Sequence, residues 1–351
     1  MADSRLSRLL HKAECVAYWA AVAPVLGRLP PTLGYGLACR RGDWLHERES
    51  VKRLELARNL HGVLGAELDV ATAQQLTREW FRFASCEAID VAGLRGGAWP
   101  LRRLVDIRGR EFLEAALADG KGAILCTAHF GSYHSGFSVL HASGFPVTTL
   151  GRWQHNYTTG LSAIERRFWD LVYARHVRRL RRRPNIEPWP GRLDVAALAA
   201  EALRANEVLT ISIDAPPFSC DRARTVPVPV LGREVRLLPG IVTLARLTGA
   251  PVLPAFLYRS ADYRHQVLEI SAPLAMSGDI ATAFCRCVAE VSAAILRSPA
   301  QWRYWASSAD LANLGMTSPV PERSPALALS LAGQGVPRPG SPLRRVPSVG
   351  L

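Results

Sequence analysis

The chain has 351 residues, of which 48% are hydrophobic, so one large domain or two small ones can form and global disorder is excluded. Its formal net charge is +13, and nearly all the positive charge is arginine, since the lysines are Lys12, Lys52 and Lys121. Arginine binds carboxylates and phosphates bidentately, which suits nucleic acid, anionic lipid headgroups or an acidic carrier protein. No DNA- or RNA-reading motif accompanies the charge, so we predict no nucleic-acid partner.

The first element is a predicted helix over residues 4–29, in which basic residues precede an apolar stretch. It lacks a clear signal-peptide cleavage site, and it is too short and too interrupted by Pro24 to span a bilayer. An amphipathic helix lying at the membrane surface, with Trp19 at the interface, fits this pattern, and an ordinary buried helix is the alternative. We therefore assign residues 1–30 to an N-terminal membrane-associating segment.

Predicted helices and strands follow in an order that sets the fold class. Residues 31–103 form a helical region, and strands and helices alternate through a core at 104–316. Helices are predicted at 48–64, 72–94, 111–117, 131–142, 161–173, 195–203, 238–247 and 282–296, strands at 105–107, 123–128, 146–150, 208–213, 252–258 and 266–270, and a hairpin at 226–235. This alternation predicts an α/β fold with a mostly parallel sheet covered by helices on both faces.

Biased segments and cysteines complete the outline. Residues 317–351 are rich in Pro, Gly and Ser, which predicts a mostly disordered tail, and the basic run 178–183 is either a solvated helix end or an anion contact. Seven cysteines without framework spacing indicate a reducing compartment. Cys126, Cys285 and Cys287 are interpreted as packing residues, so we predict no metal site and no cofactor.

The stretch 123–134 carries the main candidate chemistry. A buried strand ends at His129, and a helix begins near Gly131. A helix N-terminus keeps an imidazole neutral and able to accept a proton, and its unpaired N–H groups can stabilise an oxyanion. Acyl transfer to a hydroxyl needs both, with Gly131 and Ser132 as candidate substrate-binding residues. No Gly-x-Ser-x-Gly elbow occurs, so the sequence gives no support for an α/β-hydrolase.

This stretch, from Gly120-Lys121-Gly122 through Thr127-Ala128-His129-Phe130-Gly131, resembles the signature of the lysophospholipid acyltransferase superfamily. The most similar branch is the late acyltransferases of lipid A biosynthesis. Further similar blocks lie at residues 56–60 (Leu-Ala-Arg-Asn-Leu), 152, 212–214, 231–233, 238–240, 244–254 and 299–302 (Pro-Ala-Gln-Trp). The resemblance thus covers about residues 5–306 and leaves out the tail.

In that family the motif is a histidine, four residues and then an acid, and the resemblance implies that His129 deprotonates the acceptor hydroxyl. Here the fifth position is His134, which can fix the ring tautomer of His129 but supplies no negative charge. We expect a base weaker by about 100-fold unless a carboxylate compensates. Asp214 ends another strand at the same sheet edge and is the candidate, with a structural or acceptor-binding role as the alternative.

The resemblance also implies that Arg152 binds an anion, either a phosphate or the carrier thioester, and a surface ion pair is the alternative. The predicted activity is transfer of a fatty acyl group from acyl carrier protein or coenzyme A to a hydroxyl of a lipid or glycolipid. The predicted place is the cytoplasmic face of a bacterial inner membrane, as a peripheral or monotopic protein. Two alternatives stay open: a catalytically silent lipid- or partner-binding relative, and an acyltransferase with a non-lipid acceptor.

Overall fold

The computed structural model describes residues 17–65, 68–96, 104–151, 185–188, 192–217 and 219–316. Within these ranges, the side chains of residues 19, 20, 24, 91–96, 133, 134, 219 and 220 are outside the description. Several predictions fall outside as well: most of the N-terminal segment, the helix at 161–173, the basic run at 178–183, Arg152 and the tail at 317–351. These stay predictions.

Helices and strands alternate through the core, as the sequence predicted. The helices are α1 Ala23–Leu26, α2 Pro31–Arg48, α3 Ser50–Leu64, α4 Val70–Gly96, α5 Arg110–Ala118, α6 Tyr133–Ala142, α7 Val195–Arg204, α8 Gly240–Thr248, α9 Ile280–Arg297 and α10 Ser308–Asn313. The strands are β1 Val105–Arg108, β2 Ala123–Thr127, β3 Val147–Leu150, β4 Asn185–Ile186, β5 Val208–Ser212, β6 Val226–Val230, β7 Arg233–Leu237, β8 Val252–Arg259 and β9 Gln266–Ile270. A π-helical turn, Tyr18–Val22, precedes α1, and 3-10 turns lie at Ser219–Arg224, Pro299–Gln301 and Arg303–Ala306.

In the part of the chain that the structure describes, seven strands form one sheet in the order β1-β9-β8-β2-β5-β3-β4. Strands β8, β2, β5, β3 and β4 run parallel to one another. Strand β9 is antiparallel to β8, and β1 is parallel to β9. Strands β6 and β7 form a separate antiparallel hairpin, which confirms the hairpin predicted there. The prediction of a mostly parallel α/β sheet is confirmed.

Strand β2 lies in the middle of this sheet, and every residue in it is buried. Ile124 and Cys126 belong to the core on one face, which includes residues of α7, α8 and α9. Ala123 and Leu125 belong to the core on the other face, which includes residues of α5 and α6. A strand covered on both faces must be apolar throughout, and this is why the sequence shows a continuous apolar run before His129.

The N-terminal helices α2 and α4 pack closely together. A Cβ atom at Gly42 of α2 would lie 2.6–2.8 Å from backbone atoms of Phe81 and Arg82 in α4, so only glycine allows this approach. Next to it, Asp43 accepts hydrogen bonds of 2.7–2.8 Å from Arg78 and Arg82. The long helix α4 reaches the sheet edge that carries the candidate site. Within the described residues, no helix is long and apolar enough to cross a membrane.

Candidate active site

Two parallel neighbouring strands bring the candidate base and the candidate carboxylate together. Thr127 at the end of β2 is paired with Ser212 at the end of β5. His129 and Asp214 each lie two residues beyond that pair, so they leave the same edge of the sheet side by side. The backbone ladder extends past the strand ends, because the Ile213 amide donates to the Thr127 carbonyl at 3.0 Å. The carboxyl edge of a parallel sheet is the usual position of a ligand site in this fold class.

His129 and Asp214 are in direct contact. The His129 Nδ1 atom lies 2.8 Å from Asp214 Oδ1. The His129 backbone amide also donates to the carboxylate, at 2.9 Å to Oδ2 and 3.1 Å to Oδ1. The Asp214 side chain is 4% exposed and that of His129 is 17% exposed. The pair is therefore shielded from bulk water, while part of the imidazole remains accessible.

The carboxylate determines which tautomer of His129 is favoured. Because an ionised carboxylate only accepts hydrogen bonds, Nδ1 must carry a proton to bond Asp214 Oδ1. In the neutral ring the lone pair is then on Nε2, which is the nitrogen that can accept a proton. If Nε2 becomes protonated, the nearby carboxylate stabilises the resulting imidazolium. The arrangement can therefore act as a general base.

A second chain segment closes one side of the pair. Phe130 and Trp302 form an antiparallel bridge, in which the Arg303 amide donates to His129 O at 3.0 Å. The Trp302 indole Nε1 donates to Asp214 Oδ2 at 2.9 Å, and the Tyr304 hydroxyl lies 3.1 Å from His129 Nδ1. Both aromatic side chains are buried. The 3-10 turns before α10 thus supply polar contacts to both members of the pair.

Gly131 occupies a position that only glycine can take. Its φ angle is +62°, and a Cβ atom built there would lie 1.8 Å from the Leu257 carbonyl oxygen. Its amide donates to Gln301 O at 2.9 Å. The glycine lets the loop turn sharply from β2 into α6 against strand β8. These contacts are structural, and contact of Gly131 with substrate stays a prediction.

Ser132 belongs to a buried polar cluster beneath the loop. Its hydroxyl donates to Asp90 Oδ2 at 2.7 Å, and the Tyr35 hydroxyl donates to Asp90 Oδ1 at 2.6 Å. Arg259 and Gln266 also donate to Asp90 Oδ2. Burial raises the pKa of Tyr35 far above its ordinary range, and the Asp90 charge raises it further, so the hydroxyl remains a donor.

This cluster joins α2, α4, β8 and β9 to the first residue before α6. Side-chain exposure is 1% for Arg259 and 2% for Asp90, so the ion pair is fully buried. Burial lowers the pKa of the Arg259 guanidinium, but its interactions with Asp90, Tyr35 and Cys86 together outweigh burial, so the net pKa is raised. Removing one partner of such a pair would leave an uncompensated buried charge, so the Asp90–Arg259 pair is expected to stay together. Its hydrogen bond from Ser132 then fixes the loop at that residue. Substrate contact by Ser132 stays a prediction.

The family model for bacterial lipid A biosynthesis acyltransferases matches residues 4–306. The chain belongs to this family. The match covers the described core, the predicted N-terminal segment from residue 4 and the region of Arg152, and it ends within the 3-10 turn Arg303–Ala306. No curated protein matches the chain. The resemblance inferred from the sequence is therefore confirmed, and an acyltransferase of the lipid A type follows for the chain in general terms.

Two residues that the sequence analysis singled out cannot be placed in this candidate site. His134 is the second residue of α6, but its side chain is outside the description, and Arg152 lies in the undescribed range 152–184. Their predicted roles stay predictions. A carboxylate does lie next to His129, because Asp214, two residues after the neighbouring strand β5, places Oδ1 2.8 Å from Nδ1.

Other polar residues at the site were missed at the sequence level. Trp302 was noted only as part of a block similar to the family, and Tyr304, Asp90 and Arg259 were given no role. Arg259 ends β8 at the same edge as His129, so the rule about strand ends could have found it. Asp90 lies on α4, Tyr304 lies in a 3-10 turn and Trp302 lies between two such turns, and the positions of these segments depend on tertiary packing, so sequence spacing carries no signal for them.

Metal ligation has no support among the described residues. No group of three or more His, Cys, Asp or Glu side chains gathers there. Cys126 and Cys287 are buried in the same core, which confirms their interpretation as packing residues, and Cys285 is half-buried beside that core.

Proposed function

We propose that this acyltransferase moves a fatty acyl group from the thioester of acyl carrier protein or coenzyme A to a hydroxyl of a lipid or glycolipid acceptor. His129 is the general base of this reaction and Asp214 is its carboxylate partner. The observation that carries the proposal is the 2.8 Å contact between His129 Nδ1 and Asp214 Oδ1 at the carboxyl edge of the sheet. Membership of an acyltransferase family supplies the reaction class.

The reaction needs one proton to move twice. His129 Nε2 accepts the proton of the acceptor hydroxyl while the oxygen attacks the thioester carbonyl carbon and forms the C–O bond. The carbonyl electron pair moves to oxygen and returns as the C–S bond breaks. The imidazolium then gives its proton to the departing thiolate, which leaves as a free thiol, and the ester is the second product.

Asp214 acts while the imidazolium exists. The carboxylate is 4% exposed, so its charge acts at short range with little screening by water. It holds the Nδ1 proton on the ring and keeps Nε2 in the form that accepts the hydroxyl proton. Asp214 thus takes the role that the family gives to the acid of the motif, and His134 is not needed for charge.

We assign the acyl donor and the membrane association from the net charge of the chain. A formal net charge of +13 complements both an acidic carrier protein and an anionic lipid surface. Arg152 is the proposed contact for a phosphate or for the carrier thioester. We place the protein at the cytoplasmic face of a bacterial inner membrane, attached through residues 1–30 without crossing the bilayer.

The experiment is a thiol-release assay on the full chain with acyl carrier protein or coenzyme A thioesters, with and without lipid acceptor. His129→Ala should lower acceptor-dependent turnover by at least about 100-fold, the contribution of a general base. His265→Ala, which alters an exposed histidine in the β8–β9 turn, should leave turnover unchanged. Undiminished turnover of His129→Ala would remove His129 from the mechanism.

The alternative of a catalytically silent protein is favoured by one observation, the histidine at the fifth motif position. The same assay decides between the two. If the wild-type chain binds vesicles of anionic lipid but releases no thiol from either donor, the silent alternative holds. If thiol appears only with a peptide or another non-lipid hydroxyl, the acceptor assignment is wrong and the reaction class stands.

A further inference from the structure

Trp302 is the largest completely buried side chain next to the His129–Asp214 pair, with 0% exposure. Its one polar atom, the indole Nε1, donates to Asp214 Oδ2 at 2.9 Å. An indole N–H has a single hydrogen to give, and here it is given to the carboxylate. The direction of this side chain is thus set by the pair and not by packing alone.

The orientation of the Asp214 carboxylate depends on the donors around it. Asp214 lies in the turn after β5, outside any helix or strand. An aspartate side chain can rotate about two bonds, and the rotation about Cβ–Cγ decides which oxygen faces the imidazole. Oδ1 faces His129 Nδ1, while Oδ2 accepts from Trp302 and from the His129 amide. Donors on Oδ2 hold the carboxylate in the plane that places Oδ1 at 2.8 Å.

The position of Trp302 is in turn fixed by neighbours outside the pair. The Gln301 side chain donates to Arg259 O at 3.0 Å and accepts from the Arg259 amide at 2.9 Å. The Trp302 ring packs edge-on against Trp305, with ring centroids 4.7 Å apart. On the far side of the segment, the Asn59 amide donates to Trp305 O at 2.8 Å. The indole therefore reaches Asp214 from a segment held by both α3 and β8.

We propose that Trp302 is a positioning residue of the acyl-transfer site. Its indole N–H fixes the Asp214 carboxylate so that Oδ1 holds the Nδ1 proton of His129. The inference rests on the proposed function and adds a residue to it that touches neither the substrate nor the proton in transfer. It also gives a physical role to the Pro-Ala-Gln-Trp block at 299–302: Gln301 anchors the segment and Trp302 orients the carboxylate.

The test is Trp302→Phe in the full chain, which keeps an aromatic ring and removes the N–H. Removing a hydrogen bond to a charged group should lower kcat by about 10- to 100-fold and leave KM unchanged within about threefold. The matched control is Trp305→Phe, which removes an equally buried indole whose N–H donates to Pro299 O at 2.7 Å. Because phenylalanine keeps an aromatic ring at position 305 against Trp302, the control should lose less than about threefold in kcat for a similar loss of packing.

A double-mutant cycle separates positioning from general damage. If Trp302 acts through the Asp214 carboxylate, Trp302→Phe should cost less than about threefold in kcat once Asp214→Asn is already present. An equal loss in both backgrounds would overturn the proposal. If Trp302→Phe does not fold, incorporation of benzothienylalanine at position 302 keeps the bicyclic shape without the N–H, and its kcat is expected to fall by the same 10- to 100-fold.

The outcomes also distinguish this inference from the function on which it rests. If His129→Ala and Asp214→Asn both retain wild-type turnover, the proposed function is wrong, and the Asp214 carboxylate has no catalytic role for Trp302 to support. If those two variants lose turnover but Trp302→Phe matches Trp305→Phe in kcat, only the positioning role of Trp302 is wrong.

Discussion

The Asp214→Asn variant tests the proposed pair most directly, because it keeps the shape of the side chain and removes its charge. Asp214 Oδ2 accepts from the His129 amide and from the Trp302 indole, both at 2.9 Å. The asparagine oxygen should therefore take the Oδ2 position, since an NH₂ group there would face two donors. The NH₂ group then faces His129 Nδ1 and donates to it.

This reversal changes the tautomer of the base. With Nδ1 accepting a hydrogen bond, the single proton of the neutral ring moves to Nε2, the atom that must accept the proton of the hydroxyl. A wrong tautomer in a Ser-His-Asp triad costs about 10⁴-fold in kcat. We expect kcat to fall by about 10³- to 10⁴-fold, which is roughly 4–5.5 kcal/mol of transition-state stabilisation. KM should change little, because the substitution does not remove a substrate contact.

The assay is acceptor-dependent thiol release, with thermal unfolding measured in parallel to show that the variant folds. Asp279→Asn is the matched control: this exposed carboxylate caps α9 by accepting from the Thr282 amide at 2.8 Å. Asparagine caps a helix as well as aspartate does, so activity should be unchanged. The reasoning is refuted if Asp214→Asn keeps more than about a tenth of the wild-type kcat and unfolds at the wild-type temperature.

Two further outcomes are expected. His134→Ala should keep kcat within about 10-fold of wild type in the same assay, because Asp214 supplies the charge, and a loss beyond the 100-fold scale of a general base would return His134 to the mechanism. For the α2–α4 contact, burial raises the pKa of Asp43, but the hydrogen bonds and charges of Arg82 and Arg78 together outweigh burial, so the net pKa lies below the ordinary 3.8. This stabilisation is present above pH 3.8 and is lost as pH falls through the lower folded value. In denaturant unfolding, Asp43→Asn should cost about 1 kcal/mol at pH 7 and progressively less below pH 4, and a pH-independent difference would contradict the assignment.

Several elements of the fold follow from local pattern alone. The apolar run before His129 predicts β2 because a central parallel strand is buried on both faces, and the alternation around 226–235 predicts the β6–β7 hairpin. Helix α2 was predicted only as part of the helical region at 31–103, without bounds of its own. Its stretch includes Gly34, Gly36 and Gly42, and glycine lowers helix propensity by about 1 kcal/mol relative to alanine. Packing compensates, since Gly42 is what lets α2 approach α4.

The candidate site also has a part that local pattern predicted and a part that depends on tertiary structure. His129 was identified from its place between a strand and a helix, and Asp214 from its place at another strand end. The sequence left open whether Asp214 compensates for His134, because the two residues of the pair are 85 positions apart and their distance depends on strand order. The pairing of β2 with β5, in a register that aligns Thr127 with Ser212, places Asp214 Oδ1 2.8 Å from His129 Nδ1.

The sequence by itself determined the fold class, the family to which the chain belongs and the histidine at the sheet edge, because these depend on local periodicity and on short motifs. Only the tertiary structure decided which carboxylate meets that histidine and which indole holds the carboxylate. Trp302 is 88 residues from Asp214, and its contact forms because the segment after α9 returns to the sheet edge and bridges to Phe130. Such contacts are fixed by chain topology and by the need to satisfy a buried charge, and neither is written in the spacing of nearby residues.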